Sequence, residues 1–337
     1  EVMGAEKKKE NLKDIFFVFI DFRNYLGEAY LQFGVPISLN ALLKEYPLSD
    51  YSSEKDWLFK VTPILGKKIM TNLNDSTVVT STALFSIGIL NSDGFSISKQ
   101  ELVSRIELLK SLLEEDKYSP KTLICEKTGE EIIDQMRNLD FLSKEDINDR
   151  ISLTNLEAAK LSFYRNNISH LLIFESLICG FFQYQKEIVK EDLLQSIKMI
   201  YPFLKEEFFL KWDEADLDQL INLKINKLIN KNLILEDFNV FKRPNFKSKE
   251  FYETQSLGKL VQPSIDRFYV LISQLWKNST ERISKNELER NSLEILKNLE
   301  KTQARLTPEF SEKWMFDVFL SRLIENKYVR EEDRGML

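Results

Sequence analysis

The chain has 337 residues, with 47 Lys and Arg against 53 Asp and Glu, one histidine and two cysteines. The net charge of −6 builds in no general attraction to nucleic acid or anionic lipid, the lone His170 is the sole candidate for any His-dependent chemistry, and Cys125 and Cys179 lack the spacing of a zinc site or a disulfide framework. Hydrophobic residues make up 43% while Gly (10) and Pro (8) are scarce, so the chain reads as a folded, mainly α protein of long elements and two or three domains.

The sequence opens at Glu1 and runs into Lys7-Lys8-Lys9-Glu10, a solvated charge run, with no signal-peptide pattern. Such a start predicts a fragment or a processed product. Leu12 to Tyr25 carries Ile15, Phe16, Phe19 and Phe22 at helical spacing, and Gly27 ends it. Ala29 to Phe33 alternates like a short strand, closed by Gly34-Val35-Pro36, and Ser38 caps a helix from Leu39. Residues 1–47 therefore read as the last strand and helix of an α/β unit.

Leu48 to Glu54 is a polar connection, and helix is predicted from Trp57 onward. Thr77 to Leu90 reads as a helix of small and apolar residues, broken by Asn91-Ser92-Asp93-Gly94. A repeat follows. Ile97-Ser98-Lys99-Gln100-Glu101-Leu102 resembles Ile188-Val189-Lys190-Glu191-Asp192-Leu193 and Ile283-Ser284-Lys285-Asn286-Glu287-Leu288. The stretches at Asn138–Leu142, Asn230–Ile234 and Glu325–Val329 each close an amphipathic helix. Each unit then has an apolar helix (Thr77–Leu90, Asn167–Tyr184, Ile265–Trp276), a short capped helix, a longer helix and a strand. That order is winged-helix-like and divides the chain into 48–160, 161–250 and 251–337. Trp212 and Trp314 fall at matching positions and read as core. The third helices carry Asp213, Glu214, Asp216 and Asp218, and later Glu309 and Glu312, so nucleic acid is not an expected partner. Lys242-Arg243-Pro244 and Lys247 to Lys249 form a small positive loop that fits a phosphate or a lipid headgroup, or simply water. The apolar run Leu171 to Phe182 is too short to span a membrane.

Tyr164-Arg165-Asn166-Asn167-Ile168-Ser169-His170 sets polar groups directly before that apolar run. On a continuous helix Arg165, Asn166 and His170 share a face, with Asn167 stacked on His170. Such a face reads as a buried polar network that fixes helix packing, with ligand contact as the alternative. His170 and Glu175 are spaced His-x4-Glu, close to the base-and-orienter pair of many acyltransferases, but a helix turns positions i and i+5 apart. Glu175 is read as capping or solvating a helix end. No Gly-rich phosphate loop, Ser/His/Asp set or metal-ligand cluster is present in the sequence pattern.

Four stretches, in order, resemble the bacterial membrane-bound glycerol-3-phosphate acyltransferases. Glu1 to Glu10 resembles the family's "ELxGAxKxKE", and Gly27 to Leu39 its "GxxYVxFGEPIxL", with Val35 where the family usually has Glu. Tyr164 to His170 resembles "YYRNNxxH", with Glu175 downstream where the family usually has Pro, and Tyr201 to Trp212 is similar to "YPxLKxELFLxW". The resemblance implies acyl transfer from acyl-CoA or acyl-carrier protein to the 1-hydroxyl of glycerol 3-phosphate, giving lysophosphatidate, without a further cofactor. It places the catalytic His-x4-Asp and Gly/Arg blocks upstream of Glu1, so no catalytic residue carries over to this chain. It also implies the N-terminal catalytic part as partner, and a peripheral place on the cytoplasmic face of the bacterial inner membrane. Tyr164, Arg165, Asn166, Asn167 and His170 are then a candidate structural or docking cluster between the helical region and that part. A non-enzymatic winged-helix-type interaction module is the competing reading.

Overall fold

The computed structural model describes residues 28–139, 142, 149–277, 283–303, 313–325 and 328–330. The predicted helix Leu12–Tyr25 and the acidic Glu309 and Glu312 lie outside the described residues, as does the side chain of Trp314. The fold is mainly helical, as expected. Helix α1 (Leu39–Glu45) follows the Ser38 cap, whose Oγ accepts from Ala41 N at 3.2 Å. The 22-residue α2 (Glu54–Asp75) starts at Ser53, whose Oγ accepts from Asp56 N. The strand expected at Ala29–Phe33 does not form; residues 28–38 carry no regular structure. A strand needs a neighbouring strand for its backbone groups, and none lies beside this segment among the described residues.

The helix expected over Thr77–Leu90 begins later. Thr77 to Thr80 is a β-branched run, and such side chains favour extended backbone. It forms β1 (Val78–Val79), paired in parallel with β3 (Leu123–Ile124). Thr80 then caps α3 (Ser81–Leu90), eight of whose ten residues are buried. A helix apolar all round must be enclosed, and α3 is enclosed by α4 (Lys99–Glu115), α5 (Gly129–Asn138) and α6 (Asn155–Ser169).

Strand β2 (Ser96–Ser98) precedes α4 and pairs antiparallel with β4 (Arg150–Ser152), Ile97 opposite Ile151. The same order recurs. Helix α7 (Ile173–Phe181) leads to β5 (Glu187–Val189), α8 (Lys190–Phe208), α9 (Leu217–Asn230), β6 (Leu235–Asp237) and β7 (Val240–Lys242), with strands ordered β5-β7-β6. In both cases the first helix, expected to be short and capped, is the longer of the two, the reverse of the expected lengths: α4 has 17 residues against 10 in α5, and α8, which has no side-chain cap, has 19 against 14 in α9. The amphipathic series Leu102, Ile106, Leu109, Leu113 runs on unbroken through α4 and keeps it helical. Helices α10 (Lys249–Gly258), α11 (Gln262–Lys277), α12 (Lys285–Gln303) and α13 (Lys313–Glu325) follow among the described residues. One core extends from Val79 to Val261; a second gathers Phe203, Val270, Leu271, Phe316 and Phe319.

The expected continuous helix through His170 is interrupted. A 3-10 turn at His170–Leu172 separates α6 from α7, where Leu172 leaves helical geometry at φ −117° and ψ 10°. The expectation for Glu175 is also overturned. It does not cap or solvate a helix end; it is fully buried and ion-paired with Lys224 at 3.1 Å and with Lys227. Lys224 reaches Asp116 at 2.6 Å, and Lys227 donates to the Leu112 carbonyl at 3.0 Å. A carboxylate inside the apolar run of α7 had to find cations, because an unpaired buried charge is too costly. Burial pushes the Glu175 carboxyl up, but the two ammonium groups outweigh it and hold it below the usual range.

Candidate docking platform

The described parts of three family-like stretches, residues 28–39, 164–170 and 201–212, meet α2. His170, in the turn after α6, is buried, and its Nε2 lies 3.3 Å from Thr77 Oγ1 at the end of α2. The Tyr118 ring meets it edge-on at 5.1 Å, and Tyr118 in turn meets Trp212 at 4.9 Å. Burial lowers the His170 pKa to about 4, while the Asn74 backbone and the Asp75 carboxylate pull it the other way. Neutral, buried and held by a threonine hydroxyl, this imidazole is built for packing rather than for proton transfer.

The end of α8 supplies the other half of the seam. Phe209 stands left-handed at φ 51° as the C-cap, which turns its carbonyl outward. Asn74 Nδ2 donates to the Phe208 and Phe209 carbonyls at 2.7 and 3.2 Å. Lys211 pairs with Asp75 at 2.9 Å, donates to the Tyr118 carbonyl at 2.5 Å, and lies 4.3 Å over the Tyr118 ring. Glu206 binds Lys67 of α2 at 2.6 Å and Arg322 of α13. Glu207 binds Arg267 of α11 and accepts from Ser264 Oγ at 2.6 Å. Two adjacent glutamates of the Tyr201–Trp212 stretch thus tie α2, α11 and α13 to the end of α8.

Residues 28–36 form a strap along the same edge. Glu28 pairs with Lys127 at 2.8 Å, Gln32 donates to the Lys121 carbonyl at 2.5 Å, and Asn72 of α2 donates to the Val35 carbonyl at 3.0 Å. Helix α1 is held by Lys68–Glu45 at 2.9 Å and by Trp57 Nε1 donating to the Tyr46 carbonyl at 2.7 Å.

These contacts use the inner side of α2, and among the described residues its outer side is bare. Val61 is the one residue of the helix that is fully buried. Leu58, Phe59, Ile69, Met70 and Leu73 are exposed. Leu58 and Ile69, and likewise Phe59 and Met70, are separated by about three helical turns, so they form one stripe. The strap adds Leu31, Phe33 and Val35, and α1 adds Leu39 and Leu43. Phe59 is 80% exposed, Leu31 83% and Phe33 78%. Exposed large apolar side chains gathered along one helix side, with more on the neighbouring strap and α1, are a candidate binding surface.

The five residues of the candidate polar cluster are not all brought together. Arg165 and His170 are buried, Tyr164 is half-buried, and Asn166 and Asn167 are exposed. Arg165 Nε and Nη2 donate to Asn166 Oδ1 at 3.0 and 2.9 Å. His170 belongs to the α2 seam instead. Lys67, Asn74, Asp75, Glu206 and Glu207 were missed as site residues from sequence. The signal for Glu206 and Glu207 was the acidic pair inside the Tyr201–Trp212 stretch, where a solvated helix face explains them equally well; Lys67, Asn74 and Asp75 lie outside the family-like stretches. Among the described residues, no group of three His, Cys, Asp or Glu is placed to hold a metal ion.

The sequence model of the family described as "Glycerol-3-phosphate acyltransferase C-terminal region" matches residues 1–332. The chain belongs to this family. It is similar to the glycerol-3-phosphate acyltransferase of Pseudomonas fluorescens (strain SBW25), 28% identical over 347 residues, and to that of Pseudomonas syringae pv. tomato, 27% identical over 347 residues. The enzyme of Pseudomonas aeruginosa (strain UCBPP-PA14) is 27% identical over 346 residues. Each alignment covers 100% of this chain and 41% of the relative, so the chain spans well under half the length of the curated relatives it matches.

Proposed function

We propose that this chain is the supporting C-terminal region of a glycerol-3-phosphate acyltransferase, and that the α1–α2–strap platform seats the catalytic part. The exposed apolar stripe of α2 carries the reading. It is held rigid from behind by residues of the family-like stretches and has nothing over it among the described residues. The remaining 59% or so of the relatives' length supplies an occupant of sufficient size. In the whole enzyme the reaction is acyl transfer from acyl-CoA or acyl-carrier protein to glycerol 3-phosphate, on the cytoplasmic face of the inner membrane. The catalytic groups lie in the remaining part, since His170 is neutral and packed into the seam. The three units, 48–160, 161–250 and 251–337, form a winged-helix-like scaffold behind the platform, and α6 (Asn155–Ser169) bridges the first two.

Two measurements test this. The 337-residue chain alone should form no lysophosphatidate from glycerol 3-phosphate and acyl-CoA; formation by the isolated chain overturns the assignment of its chemistry. A chimaera in which this chain replaces the matched 41% of the Pseudomonas fluorescens enzyme should be active. Phe59→Asp with Leu73→Asp should then lower its activity by roughly tenfold or more, because two large apolar contacts are lost. Full activity of that variant rules out the platform as the seat.

The repeated strand–helix–helix–strand order also fits a non-enzymatic interaction module. It is disfavoured for nucleic acid by α9, whose Lys224 and Lys227 turn inward onto Glu175 and leave no cations for phosphates.

A further inference from the structure

Between α3, α4 and α10 lie a narrow recess and a wider cavity, and Arg105 and Glu253 line both. The recess measures about 10 Å³, the space of one water-sized group. Leu108, Leu109 and Leu257 make much of its wall apolar. Asn91, the C-cap of α3, also lines it; the residue is 5% exposed and its Nδ2 has no hydrogen-bond partner. Arg105 Nε is likewise buried and unpartnered, although Nη1 donates to the Gly88 carbonyl at 3.2 Å and to Ser92 Oγ at 2.8 Å, and Nη2 pairs with Glu101 at 2.6 Å. A buried donor without an acceptor is costly, so two of them beside one small space call for a shared acceptor.

Glu253 is the third polar group of the recess. It is buried, accepts from Ser104 Oγ at 3.2 Å and lies 3.5 Å from the Lys249 ammonium. Burial holds its carboxyl above the usual range against the pull of Lys249, as expected of a carboxylate short of donors. The recess thus offers two donors and one acceptor. A hydroxyl serves all three, because its oxygen accepts while its hydrogen donates. A carbonyl or phosphate oxygen cannot donate to Glu253, and an ammonium cannot accept from Asn91 or Arg105.

The wider cavity has a volume of about 330 Å³. Its charges balance, Arg105 and Lys249 against Glu101 and Glu253. The terminal nitrogens of Arg105 are already engaged, so no guanidinium fork is left for a phosphate. The rest of the lining is uncharged: the Gln100 amide, the Ser98 and Ser104 hydroxyls, and the exposed ring of Tyr252. Hydroxyls and an amide beside an aromatic face suit a ligand that is neutral and rich in hydroxyls.

We propose that recess and cavity form one binding site for a small neutral polyhydroxy compound. One of its hydroxyls sits among Asn91, Arg105 and Glu253, and its carbon skeleton lies against Tyr252. The site joins the first unit to the α10 region, which Ser104–Glu253 and Lys259–Asp93 (2.6 Å) already link, so occupancy adds bonds across that joint. The inference does not depend on the docking role of α2.

The test is titration of the 337-residue chain with D-glucose, myo-inositol and uridine, followed by ligand-observed NMR and by the thermal midpoint, with glucose 6-phosphate and uridine monophosphate in parallel. At least one neutral probe should bind saturably, with a Kd of about 1 mM or tighter, and should raise the midpoint. The two phosphate esters should bind that site roughly tenfold more weakly or worse. Gln100→Ala with Tyr252→Ala alters two exposed side chains. It should leave the midpoint of the free chain unchanged and weaken binding by roughly tenfold or more. Asn91→Leu places an apolar side chain at the recess and should abolish the midpoint shift. Absence of saturable binding by all three neutral probes overturns the proposal. So does binding that both variants retain in full, which puts the ligand elsewhere on the chain. Tighter binding of the phosphate esters, lost in the same variants, replaces the neutral compound with an anion.

Discussion

Helices α2 and α3 are neighbours in sequence and opposites in use. Both are rich in apolar residues, yet eight of the ten residues of α3 are buried while α2 buries one of 22. Helix α3 is stabilised by enclosure, the ordinary source of helix stability in a folded domain. Helix α2 is held by its Ser53 cap and by directional bonds on its inner side, through Lys67, Asn72, Asn74 and Asp75. Its outer apolar side chains add little to the chain's own stability. The lesson is that apolar content alone does not locate a core. What separates the two helices is whether polar neighbours are available to hold one side while the other waits for a partner.

That contrast is broken or sharpened first at the core. Removing Glu175 by substitution with Ala leaves Lys224 and Lys227 buried without their shared carboxylate, and such a loss costs about 3–5 kcal/mol. Chemical denaturation of the isolated chain should show it as a large fall in midpoint at unchanged slope. A change under about 1 kcal/mol would mean that the α7–α9 contact is wet and that the core is looser than described.

The seam comes next. The folded pKa of His170 is about 4, below the ordinary value of 6.5. Above pH 6.5 the ring is neutral in both states and titration adds no penalty. As pH falls, the unfolded chain takes up a proton while the folded one resists until about 4, so stability is lost across that window. The loss is roughly 3 kcal/mol at the acid end. The wild-type chain should therefore show a steeper fall in stability from pH 6.5 to 4 than His170→Asn. Parallel profiles would place His170 in water and detach α2 from its seat.

How much of this was legible in the sequence follows the same division. The long periodic helices and the Ser38 cap could be read, because 3.6-residue spacing and capping chemistry are local. The repeat of Ile97, Ile188 and Ile283 was legible as spacing. The three-residue strands β2 and β5 were not, because their partners lie 54 and 53 residues away in the pairs Ile97–Ile151 and Ile188–Phe241. The strand expected at Ala29–Phe33 failed for the same reason in reverse: alternation was present and a partner was not. Glu175 was the most informative residue misread. An acid within an apolar run announces a buried cation elsewhere, but nothing local says that Lys224 and Lys227 provide it. The candidate cluster at Tyr164–His170 assumed unbroken helix, and the turn at His170–Leu172 sends His170 to Thr77 while Asn166 and Asn167 stay in solvent.

The smallest effect on stability is the one that bears most on α2. Phe59 is large, apolar and 80% exposed, so its replacement by Ser removes almost no buried area from the isolated chain. The midpoint of unfolding should move by no more than about 0.5 kcal/mol, where the same loss inside α3, at Phe85, costs about 3–5 kcal/mol. A dye that fluoresces on exposed apolar surface should nonetheless bind Phe59→Ser more weakly than the parent, because the stripe it occupies has lost its largest member. If Phe59→Ser is instead destabilised like a core variant, the stripe is covered within this chain itself. The difference between α2 and α3 then lies only in which part of the chain encloses them.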